Sequence, residues 1–203
     1  MDGTGAPPRS GLTVVVEGGI ITRVVADSLI DQPDGATVVD VTGRWIAPGL
    51  WDMHVHLGKV GAESLPRFLA AGITSVRDMG GDPATIFAWR REIAEGTRVG
   101  PRIVTAGPML EAPATLIRMA GKSTNEPWHR TRVPVAGADA AAAVVDSVIA
   151  LGVDFLKVRE TADLDTYRAI ATAARARGVS LAGHAPFGLD VAEGARLGLA
   201  TFE

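Results

Sequence analysis

From residue 50 onward the chain alternates short apolar runs with helix-length amphipathic segments, and this alternation limits its fold more than any other feature. Strand-like runs fall at 50–56, 73–77, 103–106, 153–158, 179–183 and 200–202. Helical patterns fall between them, at about 64–71, 83–95, 138–151, 164–177 and 191–197. Pro83 suits the first turn of its helix and Gly96 the C-terminal stop. Repeated strand–helix units predict a parallel sheet covered by helices. Two α/β architectures meet that pattern, an open doubly wound sheet and a (β/α)8 barrel, and periodicity does not separate them. Residues 107–137 hold four prolines and little periodicity. That stretch is long for a connection and is expected to form a functional loop or lid.

The first 48 residues read differently. Two β-rich runs, 12–17 and 20–26, flank Gly18-Gly19, a hairpin signal. A third β-rich run lies at 37–41, and Pro48-Gly49 then punctuates the chain, where a domain boundary is expected. The sequence, 203 residues with a net charge of -3 and 47% hydrophobic residues, supplies enough apolar material for a sizeable core. It has no dense Lys/Arg cluster, so nucleic acid is not an expected partner. No run is long enough to span a bilayer and the start lacks an apolar signal core, so no membrane association is expected and the cytoplasm is the default compartment. Cysteine is absent, which leaves histidine, carboxylate or a rarer group as the ligands for any metal.

The polar residues at strand ends carry the chemistry. His54 and His56 are two apart in a predicted strand, so both reach the same side and one metal ion, while Met53 and Val55 face the helices. Two hydrogen-bonded histidines at a strand edge are the ordinary alternative. Of four histidines, three (His54, His56 and His184) fall at the C-terminal ends of predicted parallel strands, the face on which barrel enzymes build their sites. Lysine occurs only as Lys59, Lys122 and Lys157, and Lys157 ends an apolar run. Burial lowers a lysine's pKa. A neutral amine there would take up carbon dioxide, giving a carbamate that can bridge two metals; a solvent-reaching lysine paired with Asp154 or Glu160 is the ordinary alternative. Arg77 and Asp78, near the end of the second strand, are expected to form a local ion pair, with Arg77 a lesser candidate for substrate contact. His129 in the long stretch is a second such candidate, and an exposed loop histidine is the simpler expectation.

Four segments taken together resemble the metal-dependent amidohydrolase superfamily. They are Trp45-Ile46-Ala47-Pro48-Gly49-Leu50-Trp51-Asp52-Met53-His54-Val55-His56-Leu57, Ala71-Gly72-Ile73-Thr74-Ser75-Val76-Arg77-Asp78-Met79-Gly80, Gly152-Val153-Asp154-Phe155-Leu156-Lys157-Val158 and Gly183-His184-Ala185-Pro186, in family order. The imidazolonepropionase-like and prolidase-like branch is the most similar. The resemblance implies a (β/α)8 TIM barrel over 49–203, preceded at 1–48 by the N-terminal part of a composite β-sandwich. It implies two divalent metal ions, with zinc preferred. His54 and His56 would bind the more buried ion, His184 the second, and carboxylated Lys157 would bridge both and serve as the catalytic group.

The resemblance also implies a histidine after Glu203 and an aspartate after an eighth strand, neither of which this sequence contains. Residues 49–203 fall well short of the roughly 250 that a whole barrel takes. A truncated barrel of five to six strands is therefore expected, with unpaired edges that favour homo-oligomer formation or aggregation. The expected activity is hydrolysis of carbon–nitrogen bonds in a small-molecule or dipeptide-like substrate, through a metal-activated hydroxide. A non-catalytic or partner-dependent remnant of such a barrel is the alternative, and an open-sheet binding module is a third.

Overall fold

The computed structural model describes residues 1–32, 34–120, 128–186 and 188–203. The chain divides into two compact units, Met1–Gly49 and Leu50–Glu203.

In the first unit, β1 (Leu12–Glu17) and β2 (Ile20–Ala26) form an antiparallel hairpin whose register shifts between Val15 and Val16. Gly18 and Gly19 both take positive φ, 58° and 80°, which a two-residue turn of the primed type requires and which residues with a Cβ resist. The expected third strand at 37–41 does not form. Val38 and Val39 are exposed, and among the described residues no strand pairs with this run. β-propensity alone does not make a strand; a hydrogen-bonding neighbour does.

Among the described residues of the second unit, eight strands form two parallel sheets. The first is β3 (Leu50–Val55), β4 (Ile73–Asp78) and β5 (Arg102–Thr105). The second comprises β6 (Met109–Glu111), β7 (Arg132–Pro134), β8 (Leu156–Val158), β9 (Leu181–Gly183) and β10 (Leu199–Phe202), in the order β10-β9-β8-β6-β7. β5 and β6 are successive pieces of one extended stretch, broken at Gly107. β5 pairs with β4 and β6 with β8. Asp154 N donates to Thr105 O at 2.9 Å, and Thr105 N donates to Asp154 Oδ2 at 2.8 Å, so one sheet continues into the other. The wall therefore runs β3, β4, β5/β6, β8, β9, β10.

That wall is curled. In a flat sheet β4 and β10 would stand about 19 Å apart, at about 4.8 Å per strand. Instead Arg77 Nη1 of β4 donates to Thr201 Oγ1 of β10 at 3.0 Å. Side chains of the second and sixth wall strands meet only if the sheet closes toward a barrel, which excludes the open doubly wound alternative.

Helices cover the outside. Leu57, Leu65, Val76, Ile86 and Ile103 pack α1 (Leu57–Val60), α2 (Leu65–Ala70) and α3 (Pro83–Ala94) on the first sheet. α6 (Ala138–Ile149) and α7 (Leu164–Ala176) cover the second, α7 burying Tyr167, Ile170, Ala171 and Ala174 at helical spacing. Asp82, Asp163 and Asp190 cap α3, α7 and α8 (Val191–Leu197) by accepting from Ala84 N, Thr166 N and Ala192 N. Among the described residues no helix is long and apolar enough to cross a membrane.

The stretch 107–137 is not one lid. It contains β6, α4 (Pro113–Ala120), α5 (Trp128–Thr131) and β7, with 121–127 outside the described residues. These pieces are too short to show periodicity in sequence, and Pro113, which reads as a breaker, opens α4.

Candidate metal centre

The strand register sets the site. Phe155 and Lys157 lie two apart along β8 and its approach, and Ala182 and His184 two apart at the end of β9. Each pair projects to one side of the backbone. Phe155 and Ala182 pack with Met79 and Ala106 as a buried cluster. Lys157 is 2% exposed, and its Nζ has no hydrogen-bond partner. The expected alternative partners are engaged elsewhere: Asp154 with Arg90 at 2.8 Å, and Glu160 with Thr115 at 2.6 Å. Burial removes the ammonium from water, and with Arg77 and Arg159 nearby it brings Lys157 down to about 8, against the pull of Glu203.

The two histidines of β3 are oriented through the same ring nitrogen. His56 Nδ1 lies 3.0 Å from Gly80 O. A carbonyl only accepts, so Nδ1 carries a proton, and in the neutral ring the lone pair is on Nε2. His54 Nδ1 lies 2.5 Å from Glu203 Oε2, and donation to that carboxylate fixes the same tautomer for the neutral ring. Metal-ligating histidines are held by such bonds from the second nitrogen. The rings stand 5.5 Å apart at 69°.

His184 is set by Gly183. A Cβ at residue 183, where φ is +146°, would lie 1.9 Å from Val158 O, so only glycine lets β9 approach β8 this closely. His184 N then donates to Val158 O at 3.1 Å. Partial burial, together with electrostatic effects of Lys157, Arg159 and His54, lowers the His184 pKa against the opposing effect of Glu203. The neutral ring that results is the form that ligates metals.

Three residues in this site were not assigned these parts by the sequence. Glu203 accepts from Thr201 Oγ1 at 2.9 Å and from Arg77 Nη2, and its side chain is 7% exposed. Burial opposes its ionisation, but bonds from Thr201 and His54 and the Arg77 guanidinium outweigh it and hold the carboxyl below its ordinary value. Asp78 is fully buried and accepts from Leu57 N at 2.9 Å and Thr105 Oγ1 at 2.8 Å. It fastens the end of β3 to the end of β5, and burial raises its pKa. Arg77 and Asp78 do not pair as expected, because successive strand residues face opposite sides. Arg77 turns inward to Met53 O, Thr201 and Glu203. Thr201 is the third. His129 is exposed in α5, away from the strand-end histidines in sequence and element.

Among the described residues no three His, Asp or Glu side chains gather into one metal-sized group. The groups that converge are histidines, one carboxylate and an amine. Imidazole nitrogens and the partnerless amine of Lys157 are donor types that fit a divalent metal.

A curled wall of parallel strands with histidine, lysine and carboxylate side chains at its C-terminal rim is the arrangement of part of a (β/α)8 barrel. The profile of the Amidohydrolase family matches residues 45–196, and the chain belongs to that family. It is 33% identical over 133 residues to an imidazolonepropionase of Acidiphilium cryptum, covering 61% of this chain and 33% of the relative. It is 36% identical over 62 residues to an enamidase of Eubacterium barkeri, covering 30% and 16%. A prolidase solved in complex with N-methylphosphonate-L-proline superposes with a TM-score of 0.75 at 26% identity, covering 93% of this chain and 55% of the prolidase. The chain thus spans about a third of the imidazolonepropionase and about half of the prolidase.

Proposed function

We propose that this chain carries the metal-binding part of a hydrolase that cleaves carbon–nitrogen bonds of small amides. The observation that carries the proposal is the buried, partnerless amine of Lys157 beside strand-end histidines. Residues 49–203 act as barrel and residues 1–48 as part of a β-sandwich. His54, His56 and His184 would hold a divalent metal pair, and Lys157, once carboxylated, would be the further ligand shared between the two ions. In that step the neutral amine attacks carbon dioxide, an N–C bond forms, one proton leaves the nitrogen, and a singly charged carbamate results. When bound, the metal pair supplies an acidic water and polarises the carbonyl of the amide. The chain's own residues orient these groups. Gly80 and Glu203 fix the histidine tautomers, Asp78 locks the β3 and β5 ends, and the Phe155 cluster closes the barrel interior beneath Lys157. Zinc is the preferred ion for this donor set.

Loading the protein with zinc and ¹³C-bicarbonate tests the proposal. Two bound zinc ions per chain, a ¹³C carbamate resonance lost in Lys157→Ala, and zinc-dependent amine release from N-acyl amino acids are expected. Absence of bound zinc together with metal-independent amine release would overturn it.

A further inference from the structure

A cavity of about 280 Å³ opens beside His184, lined among others by Arg159, Glu160, Thr161 and Pro186. We propose that it is an anion subsite, in which Arg159 holds a carboxylate of the substrate. The proposal rests on the hydrolase reading above and names its substrate class.

Arg159 is fixed at both ends. Its backbone N donates to Leu110 O at 3.0 Å, and its Nη1 donates to Glu111 Oε2 at 2.9 Å. Glu111 is completely buried, and Arg132, itself buried, stands 3.6 Å from the same oxygen. Glu160 is drawn aside by Thr115 at 2.6 Å and Arg118 at 3.3 Å, leaving it 3.8 Å from Arg159, beyond hydrogen bonding. Among the described residues, three guanidinium groups therefore share two carboxylates, and one positive charge is in surplus. Arg132 is 5% exposed in its side chain and Arg159 37%, so the surplus reaches the cavity through Arg159.

The anchoring is costly. Glu111 Oε1 and Arg132 Nε are buried without hydrogen-bond partners. A partly satisfied buried ionic network adds little to stability, and apolar residues would serve a purely structural role at least as well. What the network achieves is a guanidinium held rigidly at a cavity wall. Its planar fork matches a carboxylate with two parallel bonds. The cavity lies at the small end of the range for ligand pockets, so the groups that meet Arg159 and His184 belong to one small molecule. An amide bearing a carboxylate near the scissile bond satisfies both walls.

The probes are N-acetylglycine and its uncharged counterpart N-acetylglycinamide, titrated calorimetrically into the zinc-loaded chain. The acid is expected to bind at least tenfold more tightly, Arg159→Gln to bring the two within twofold, and Arg159→Lys to fall between. Equal affinities in the unaltered protein, binding of neither probe, or an acid preference that survives Arg159→Gln would each overturn the subsite. The last outcome would place the carboxylate on the metals. Amine release from both probes with equal affinity would leave the hydrolase reading standing while removing the subsite. A calorimetric acid preference that depends on Arg159, without any amine release, would do the reverse.

Discussion

Arg77 Nε donates to the carbonyl oxygen of Met53 at 2.7 Å, tying β4 to the segment of β3 that precedes its two histidines. The same guanidinium bonds Thr201 and Glu203 and lies over the Phe155 ring at 5.7 Å from its centroid. One side chain thus braces four wall strands across the interior. Arg77→Met breaks these bonds and leaves the Glu203 carboxylate buried with a lost partner, so a loss of about 2–4 kcal/mol is expected in urea denaturation. Arg77→Lys should recover part of it through charge alone. An unchanged urea midpoint in Arg77→Met would remove the bracing role.

Lys157 places a long, partnerless amine in the core. Lys157→Met keeps the length and removes the desolvated charge. In metal-free protein the variant should be more stable at pH 7 by about 1–3 kcal/mol, while losing the ¹³C carbamate signal. A stability decrease would mean that the amine is structurally satisfied.

The pH dependence of that stability has a defined sign. Lys157 falls from its ordinary 10.5 to about 8 on folding. Between those values the unfolded chain binds a proton that the folded chain does not, so this contribution to stability rises with pH, by at most about 1.4 kcal/mol per unit. Below about 8 both states are protonated and the full penalty remains. Urea midpoints of the unaltered chain and Lys157→Met, compared at pH 7, 9 and 10, should converge as pH rises. A constant difference would contradict the burial of a charged amine.

Gly183→Ala forces a methyl group to 1.9 Å from Val158 O and must part β9 from β8. A loss of more than about 3 kcal/mol, or failure to fold, is expected by circular dichroism. Gly198→Ala is the control. Its φ of +105° is unfavourable, but nothing lies within 4 Å, so the expected loss is about 1 kcal/mol.

Asp163 accepts from Thr166 N at 2.7 Å and opens the helix that buries Tyr167 and Ile170. Asp163→Ala should lower stability by about 1 kcal/mol, and Asp163→Ser should restore most of it, as read by thermal melting.

Much of the fold was legible because local rules decided it. The hairpin follows from β-rich runs around Gly18-Gly19, and α8 occupies the expected residues 191–197. The run at 153–158 was harder. Only Leu156–Val158 is strand; at Asp154 the side chain, not the backbone carbonyl, accepts from Thr105 N. The strand expected at 37–41 failed for want of a neighbour, a condition that no window of sequence contains.

At the candidate centre, the residue types, the two-residue spacing of His54 and His56, and the isolation of Lys157 in an apolar run are properties of the sequence by itself. So is the alternation that brings His184 to a strand end. Only the tertiary structure decided that Arg77 faces Glu203 across the wall, 126 positions away, that Glu203 meets His54, 149 positions away, and that Glu111 anchors Arg159. Strand and helix patterns arise from contacts a few residues apart, which the order of residues encodes directly. The curl of the sheet is a sum over all its strands, and it alone sets which distant side chains share a buried charge.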